Sequence, residues 1–299
     1  MLLQVLDDYH YQYFLYTGAR FTYPEFDQTI FATIPSEKLI ETSDGEPWQR
    51  DIKNVDMLLH SLDQRNTATP FMGFVFFEST HAHYSFPPDS VIEPDYLQAV
   101  DYAAMTRETV APVIAPLKAR YLNAAHHVDS QFGRVYDYLI EHELLDNTLV
   151  LVTGDHGEEF MEHGFWGHNS SFVEEQIHVP MLLSVPGRKS ALIAQMSSHM
   201  DGVPTLLQAL GVQNPLGDYS LGRNLFTLEG DKPVVVASWT DLGLIAPQGK
   251  LVIPFRSTTQ HKSLASDGQD NPVPPHQLTG LLAAPVAEVI INSRRYINK

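Results

Sequence analysis

No cysteine occurs anywhere in the 299 residues. Disulfides, thiolate nucleophiles and sulfur-only zinc sites are therefore excluded. Positive charge is scarce as well. Nineteen Lys and Arg stand against 36 Asp and Glu, a net charge of −17 with the 14 histidines neutral. So acidic a chain has no main role on a nucleic-acid backbone. It holds an anionic ligand only where a metal, a His or an Arg reverses the sign locally. No apolar run approaches the roughly 18 residues of a membrane span. The opening Met1-Leu2-Leu3-Gln4-Val5-Leu6-Asp7-Asp8 has no basic start and meets acid too soon for a signal peptide. It reads as a start inside a larger protein.

The composition that remains is that of a folded domain. With 43% hydrophobic and 10% aromatic residues, the chain can bury a large core, as one α/β domain or a domain with a small appendage.

The most informative stretch is 146–187, D-N-T-L-V-L-V-T-G-D-H-G-E-E-F-M-E-H-G-F-W-G-H-N-S-S onward. Residues 149–152 form a short apolar run bounded by Asn-Thr and Gly, which predicts a strand buried on both faces. Asp155 and His156 sit just past its end, where chemistry collects in open α/β sheets. Gly154 and Gly157 are expected to let the backbone turn sharply there. Carboxylate and imidazole together make half of a divalent-cation site. A lone Asp-His-Gly is a weak motif; the strand before it and Trp166-Gly167-His168 after it add weight. His168 is the stronger functional candidate, on a loop freed by Gly164 and Gly167. His163 and His178 read as surface histidines, and Glu158 and Glu159 as solvated or helix-N-terminal charges.

A second candidate follows the apolar run 71–78, expected to be a central strand. Beyond it lies S-T-H-A-H-Y-S-F-P, with His81 and His83. In isolation a polar loop with incidental histidines is an equal reading. The functional reading requires the ends of both strands to aim at one cleft.

The remaining elements supply the scaffold. Residues 1–40 are aromatic-rich, punctuated by Gly18 and Pro24, and read as core. A helix is predicted at 48–64, with Asp51, Val55, Leu58, Leu59 and Leu62 at helical spacing. Prolines 88, 94, 112 and 116 mark a loop excursion with short helices and a candidate lid. The helix 117–143 is expected to bury Tyr121, Ala125, Val128, Phe132, Val135 and Leu139. Its other face would carry Asn123, His127, Ser130, Arg134, Asp137 and Glu141, with His126 also on the surface and Arg120 and Asp129 in flank salt bridges. A strand at 179–185 and a helix at 201–210 follow, the helix capped by Asp201 and stopped by Gly211. Alternation of strand and helix over 71–211 predicts a mostly parallel central sheet with helices on both faces. Beyond residue 222 come strands at 234–239 and 251–255, joined by a turn at 247–250. A polar hairpin or linker at 267–275 and a helix at 278–296 complete a small antiparallel subdomain. Expected domains are 1–222 and 223–299. The basic tip, Arg294 to Lys299, complements a helix C-terminus first and could touch anionic lipid second.

Four stretches in this order resemble the carboxyl-terminal part of a sulfatase-fold domain of the alkaline phosphatase superfamily. They are R-Y-L-N…V-D leading to D-N-T, T-G-D-H-G-E-E-F with W-G-H, V-P-M-L-L-S-V-P-G, and S-H-M-D-G-V-P-T-L-L-Q-A-L-G. F-F-E-S-T-H-A-H-Y-S-F-P, W-G-H-N-S-S, A-S-W-T-D-L-G-L-I-A-P-Q-G and R-R-Y-I-N further resemble the periplasmic domain of YejM/PbgA-type inner-membrane proteins. The resemblance implies a membrane region preceding residue 1 and a place on the periplasmic side of the bacterial inner membrane.

It also implies metal-dependent hydrolysis of sulfate or phosphate esters, or phosphoglycerol-type transfer. Asp155 and His156 match two metal ligands, and His168 with His81 or His83 match contacts to the anionic group. Magnesium, manganese, calcium or zinc would suit. The acidic ligand on the family's first strand and the nucleophile segment would precede residue 1. The alternative implied by the closer likeness is a non-catalytic module that senses lipid A or cardiolipin and regulates lipopolysaccharide synthesis. With half a ligand set and no nucleophile, the chain as given is expected to bind divalent metal weakly and to turn over no chromogenic sulfate or phosphate ester. Turnover that disappears in Asp155→Ala would overturn this.

Overall fold

The computed structural model describes residues 2–23, 25–255 and 264–297. Pro24, and the side chains of the basic tip at 294–299, lie outside the described residues. The chain forms two compact units, Met1–Thr148 and Leu149–Lys299. The 222/223 boundary expected from the sequence lies inside the second.

The first unit contains α1 (Leu2–Asp8), β1 (Gln12–Thr17), β2 (Leu39–Glu41), α2 (Pro47–Gln64), β3 (Phe71–Phe76), α3 (Arg107–Val110) and α4 (Ile114–Glu141). Its sheet is parallel, in the order β2-β1-β3. β1 is the central strand of the three; the more apolar β3 lies at its flank. Period-two alternation divides β1 between two cores. Tyr13 and Leu15 join Leu3, Leu6, Phe21, Phe31 and Ile34 on one face. Tyr16 joins Leu58, Leu62 and Tyr138, from α2 and α4, on the other. The amino-terminal aromatics are thus core, as expected, except for exposed Tyr9 and Tyr23.

Pro47 begins α2, and Glu46 and Gln49 cap it reciprocally. α4 buries Leu117, Asn123, Ala124, His127, Gln131, Tyr138 and Leu139, a stripe offset from the apolar one expected. One buried polar residue on it, Asn123, ties down irregular backbone, whose polar groups need partners. The Asn123 side chain accepts from the Ile92 and Glu93 amides and donates to the Glu93 carbonyl. His127 is fully buried, not a surface residue, and its Nε2 donates to the Trp48 carbonyl at 3.2 Å. Burial pulls its pKa down. Arg120 forms no flank salt bridge among the described residues. It donates to the carbonyls of His83, Leu97 and Gln98 instead.

The second unit contains β4 (Val150–Thr153), β5 (Glu159–Phe160), β6 (Trp166–Gly167), α5 (Glu174–Ile177), β7 (Met181–Ser184), α6 (Gly202–Ala209), β8 (Val234–Ala237), β9 (Asp241–Ala246), β10 (Gly249–Pro254), β11 (Ala265–Asp267) and α7 (His276–Ile297). β4 pairs with β7, and the pair is antiparallel. β4 is not buried on both faces, because Leu151 is 37% exposed. The antiparallel subdomain is present, with sheet order β11-β10-β9-β8. α7 packs Leu278 and Leu282 against Leu244, Ala246 and Ala265. β9 was not expected as a strand.

Asp51 of α2 links helix to sheet. It is fully buried, and its two carboxylate oxygens accept the Glu78 and Ser79 amides at 2.9 Å each, just past β3. Burial pushes its pKa up to about 6, against the pull of those hydrogen bonds. The folded value thus lies above the unfolded one near 3.8. Its stabilising contribution is complete below that unfolded value and is lost as pH rises through 6, a swing of about 3 kcal/mol. Asp51→Asn loses a backbone hydrogen bond at every pH but does not titrate. The stability advantage of the wild type over Asp51→Asn, measured by urea unfolding, should therefore shrink between pH 4 and 7.

Candidate metal and anion site

β4 ends at Thr153, and the chain runs through Gly154 into Asp155 and His156, the placement expected from the sequence. The Asp155 Oδ1 accepts the His156 amide at 3.0 Å, and Oδ2 lies 3.6 Å from His156 Nε2. His156 Nδ1 donates to the Gly157 carbonyl at 3.0 Å. The two glycines of this turn lie outside the left-handed region. Gly157 is required by close approach: an added Cβ would sit 2.1 Å from the Glu175 carbonyl oxygen. The Gly157 amide donates to the Gln176 carbonyl at 2.9 Å.

His168 follows β6, which pairs antiparallel with β5. The connecting turn passes through left-handed Met161 and Gly164, and Gly167, at φ 117°, swings the chain into His168. The His168 ring lies 4.0 Å from the His156 ring, centroid to centroid. Its Nδ1 donates to Glu158 Oε2 at 2.7 Å. One donor atom each from His156, Glu158 and His168 falls within 4.8 Å of the others. The hydrogen bond to Glu158 raises the His168 pKa, opposed by burial and reinforced by the charges of Glu158 and Asp155.

Neither acidic residue after the Asp-His-Gly turn is solvated. Glu158 orients His168, as carboxylates orient metal-ligating imidazoles. Glu159 is fully buried. It accepts the His163 and Phe165 amides and the Gln176 side-chain amide, so it closes the hairpin. No helix starts here; the acid-acid pair resembles a helix N-terminus only in composition. His178 is exposed, as expected, and His163 Nε2 lies 3.1 Å from Glu175.

Sequence reasoning also missed His199. Its Nε2 donates to the Gly154 carbonyl at 2.8 Å and lies 3.3 Å from Thr153 Oγ1, pinning the strand end beside Asp155. The signal available was the histidine of S-H-M-D, quoted only as part of a helix start.

His81 and His83 belong to the first unit. A turn after β3 carries them, closed by the Tyr84 amide donating to the His81 carbonyl at 2.9 Å. His83 and Tyr84 both take positive φ, 89° and 46°, a conformation that costs about 1–3 kcal/mol per non-glycine residue. Arg120 Nε holds the His83 carbonyl at 2.6 Å, and the His83 ring meets Tyr102 edge-on.

Two imidazoles and two carboxylates at one strand end form a mixed nitrogen–oxygen set of the kind that suits a divalent cation. A matching family model, described as Sulfatase, covers residues 1–212. The inner-membrane protein YejM of Salmonella typhimurium is 31% identical over 136 residues, 45% of this chain and 23% of that protein. The chain spans about a fifth of the length of the curated relatives it matches. A phosphonate monoester hydrolase from Silicibacter pomeroyi superimposes with a TM-score of 0.61 at 16% identity, over 99% of this chain and 79% of the other. A protein of the alkaline phosphatase superfamily from Vibrio parahaemolyticus gives 0.57 at 18% identity, over 92% and 63%.

The raised His168 pKa sets a pH signature. Stability from the Glu158–His168 pair is complete below the unfolded value near 6.5 and is lost as pH rises through the higher folded value. In chelator, Glu158→Gln should cost about 1–3 kcal/mol near pH 5.5 and much less near pH 8.5, as read by urea unfolding at each pH.

Proposed function

Because this chain belongs to the sulfatase family, we propose that it supplies the metal- and anion-contacting side of a site acting on sulfate or phosphate esters. One observation carries the reading: His156, Glu158 and His168 bring donor atoms within 4.8 Å of one another beside Asp155. Asp155 and His156 are the proposed cation ligands, with His168 alongside. Imidazole nitrogen in the set favours zinc over the oxygen-seeking magnesium, calcium and manganese. When bound, the cation supplies positive charge against the group being transferred.

The chain's own residues orient and polarise. Glu158 fixes the His168 tautomer by taking its Nδ1–H. His168 is the proposed N–H donor to the ester's anionic oxygens when protonated; for His81 or His83, in the first unit, the same role is proposed on the family likeness alone. Positive charge on the His168 ring, favoured by Glu158, offsets the charge of the transferred group, which an otherwise acidic chain would repel. The activity belongs to the whole protein, and the chain alone is inactive on this reading. Likeness to an inner-membrane protein supports placement at the inner membrane, and the proposed side is the periplasmic one.

That same likeness favours a second reading, in which the fold binds an anionic lipid such as lipid A or cardiolipin and regulates lipopolysaccharide synthesis without catalysis. The two diverge in the full-length protein: Asp155→Ala abolishes ester turnover under the first and leaves lipid regulation intact under the second.

The metal assignment is tested on the chain itself by calorimetric titration with Mn(II) or Zn(II). His156→Ala and Asp155→Ala should each weaken binding by roughly tenfold or more. Affinity unchanged in both variants would remove the proposed centre.

A further inference from the structure

We infer that Lys250, in the carboxyl-terminal antiparallel sheet, is a positioning residue for the His156–His168 site. Lys250 lies on β10 and is almost fully buried. Its ammonium donates to the Phe172 carbonyl at 3.0 Å and meets Glu174 Oε1 at 2.7 Å and Asp270 Oδ1 at 2.9 Å. Asp270, likewise buried, accepts the Glu174 amide through Oδ2 at 2.9 Å. Three acceptors match the three protons of an ammonium, and all three come from outside β10. Two of them, Phe172 and Glu174, belong to the segment that runs from His168 into α5.

Packing reinforces the charge clamp. Phe172 is buried, and its ring lies where a Cβ on Gly243 of β9 would stand, 2.7 Å away. The missing side chain at Gly243 is thus the seat for Phe172. From this seat the constraint passes to Gln176, two residues beyond Glu174. Its carbonyl takes the Gly157 amide, its side-chain oxygen takes the Ser170 and Ser171 amides, and its side-chain nitrogen donates to Glu159. Gly157 adjoins His156, Glu159 adjoins Glu158, and Ser170 lies two residues past His168. Lys250 is therefore connected to each member of the cluster through named hydrogen bonds and short spans of chain.

His163, Glu175 and Asp270 also bring donors within 4.8 Å. The Lys250 ammonium, 2.9 Å from Asp270, supplies the positive charge in that group, and its role is to lock a loop. The consequence for metal affinity rests on the proposed metal centre; the consequence for loop order does not.

The experiment compares Lys250→Met, the double variant Lys250→Met with Asp270→Asn, and the wild type. The single variant strands the Asp270 charge and should lower the thermal midpoint; the double variant removes that charge and should regain it. In the double variant, amide exchange at Gly157, Ser170 and Ser171 should nonetheless be about tenfold faster or more, with β9 and β10 amides unchanged. Co(II) affinity, read from its visible absorption, should fall roughly 10- to 100-fold. A purely structural role would restore affinity and exchange together with the midpoint, and that result overturns the inference. So would a Co(II) stoichiometry that falls on His163→Ala, which would make the second group a metal centre. If the wild type binds no Co(II), the metal reading fails, while the exchange rates still decide whether Lys250 holds the loop.

Discussion

One buried side-chain amide holds the candidate site together. Gln176 must donate at one end, to the Glu159 carboxylate, and accept at the other, from two backbone amides of the loop beyond His168. No other residue type of this length does both. Glutamate would set two carboxylates against each other in a buried space, where like charges are costly. A hydrocarbon would leave Glu159 and the Ser170 and Ser171 amides short of a partner. Three segments separated in sequence, the Asp-His-Gly turn, the β5–β6 hairpin and the serine-rich loop, thereby acquire one geometry. The rings of His156 and His168 lie together because their backbones are fastened to one residue: the Gly157 amide to the Gln176 main-chain carbonyl, and the Ser170 and Ser171 amides to its side chain.

Much of this architecture is legible in the sequence, and the legible parts share a cause. Apolar runs ending in glycine or proline mark strand ends at 153 and 184, and helical spacing marks α2 and α4. Asp155, His156 and His168 stand out because chemistry-bearing residues next to glycines past a strand are uncommon. What escapes are residues whose role is set by a distant partner. Glu158 and Glu159 look like surface charge until the hairpin folds them inward. Asn123 looks solvent-facing until the irregular 88–98 segment needs a partner for its amides, and His127 until it meets the Trp48 carbonyl of α2. β9 escapes because Gly243 weakens its strand signal, and the reason for that glycine is a phenylalanine 71 residues earlier. His199 escapes because a histidine at a helix start gives no local sign that it caps another strand.

Family membership and local geometry contribute different things. The family model extends over 1–212, whereas the clamp on the His168 loop originates at Lys250 and Asp270, beyond that match. Structural neighbours at 14–20% identity fix the fold and leave the chemistry to the residues themselves. Those residues gather two imidazoles and two carboxylates at one strand end of an acidic chain, a donor set suited to a divalent cation.

The β4–β7 pair carries a practical consequence. It is a two-stranded ladder among the described residues, with Leu151 exposed from one face and Leu182, 62% exposed, from the other. Open strand edges flanked by bare leucine invite further strands to add on. Handling this chain at high concentration is therefore a colloidal problem as much as a folding one. A lysine on an outward-facing ladder position would be the first remedy for self-association.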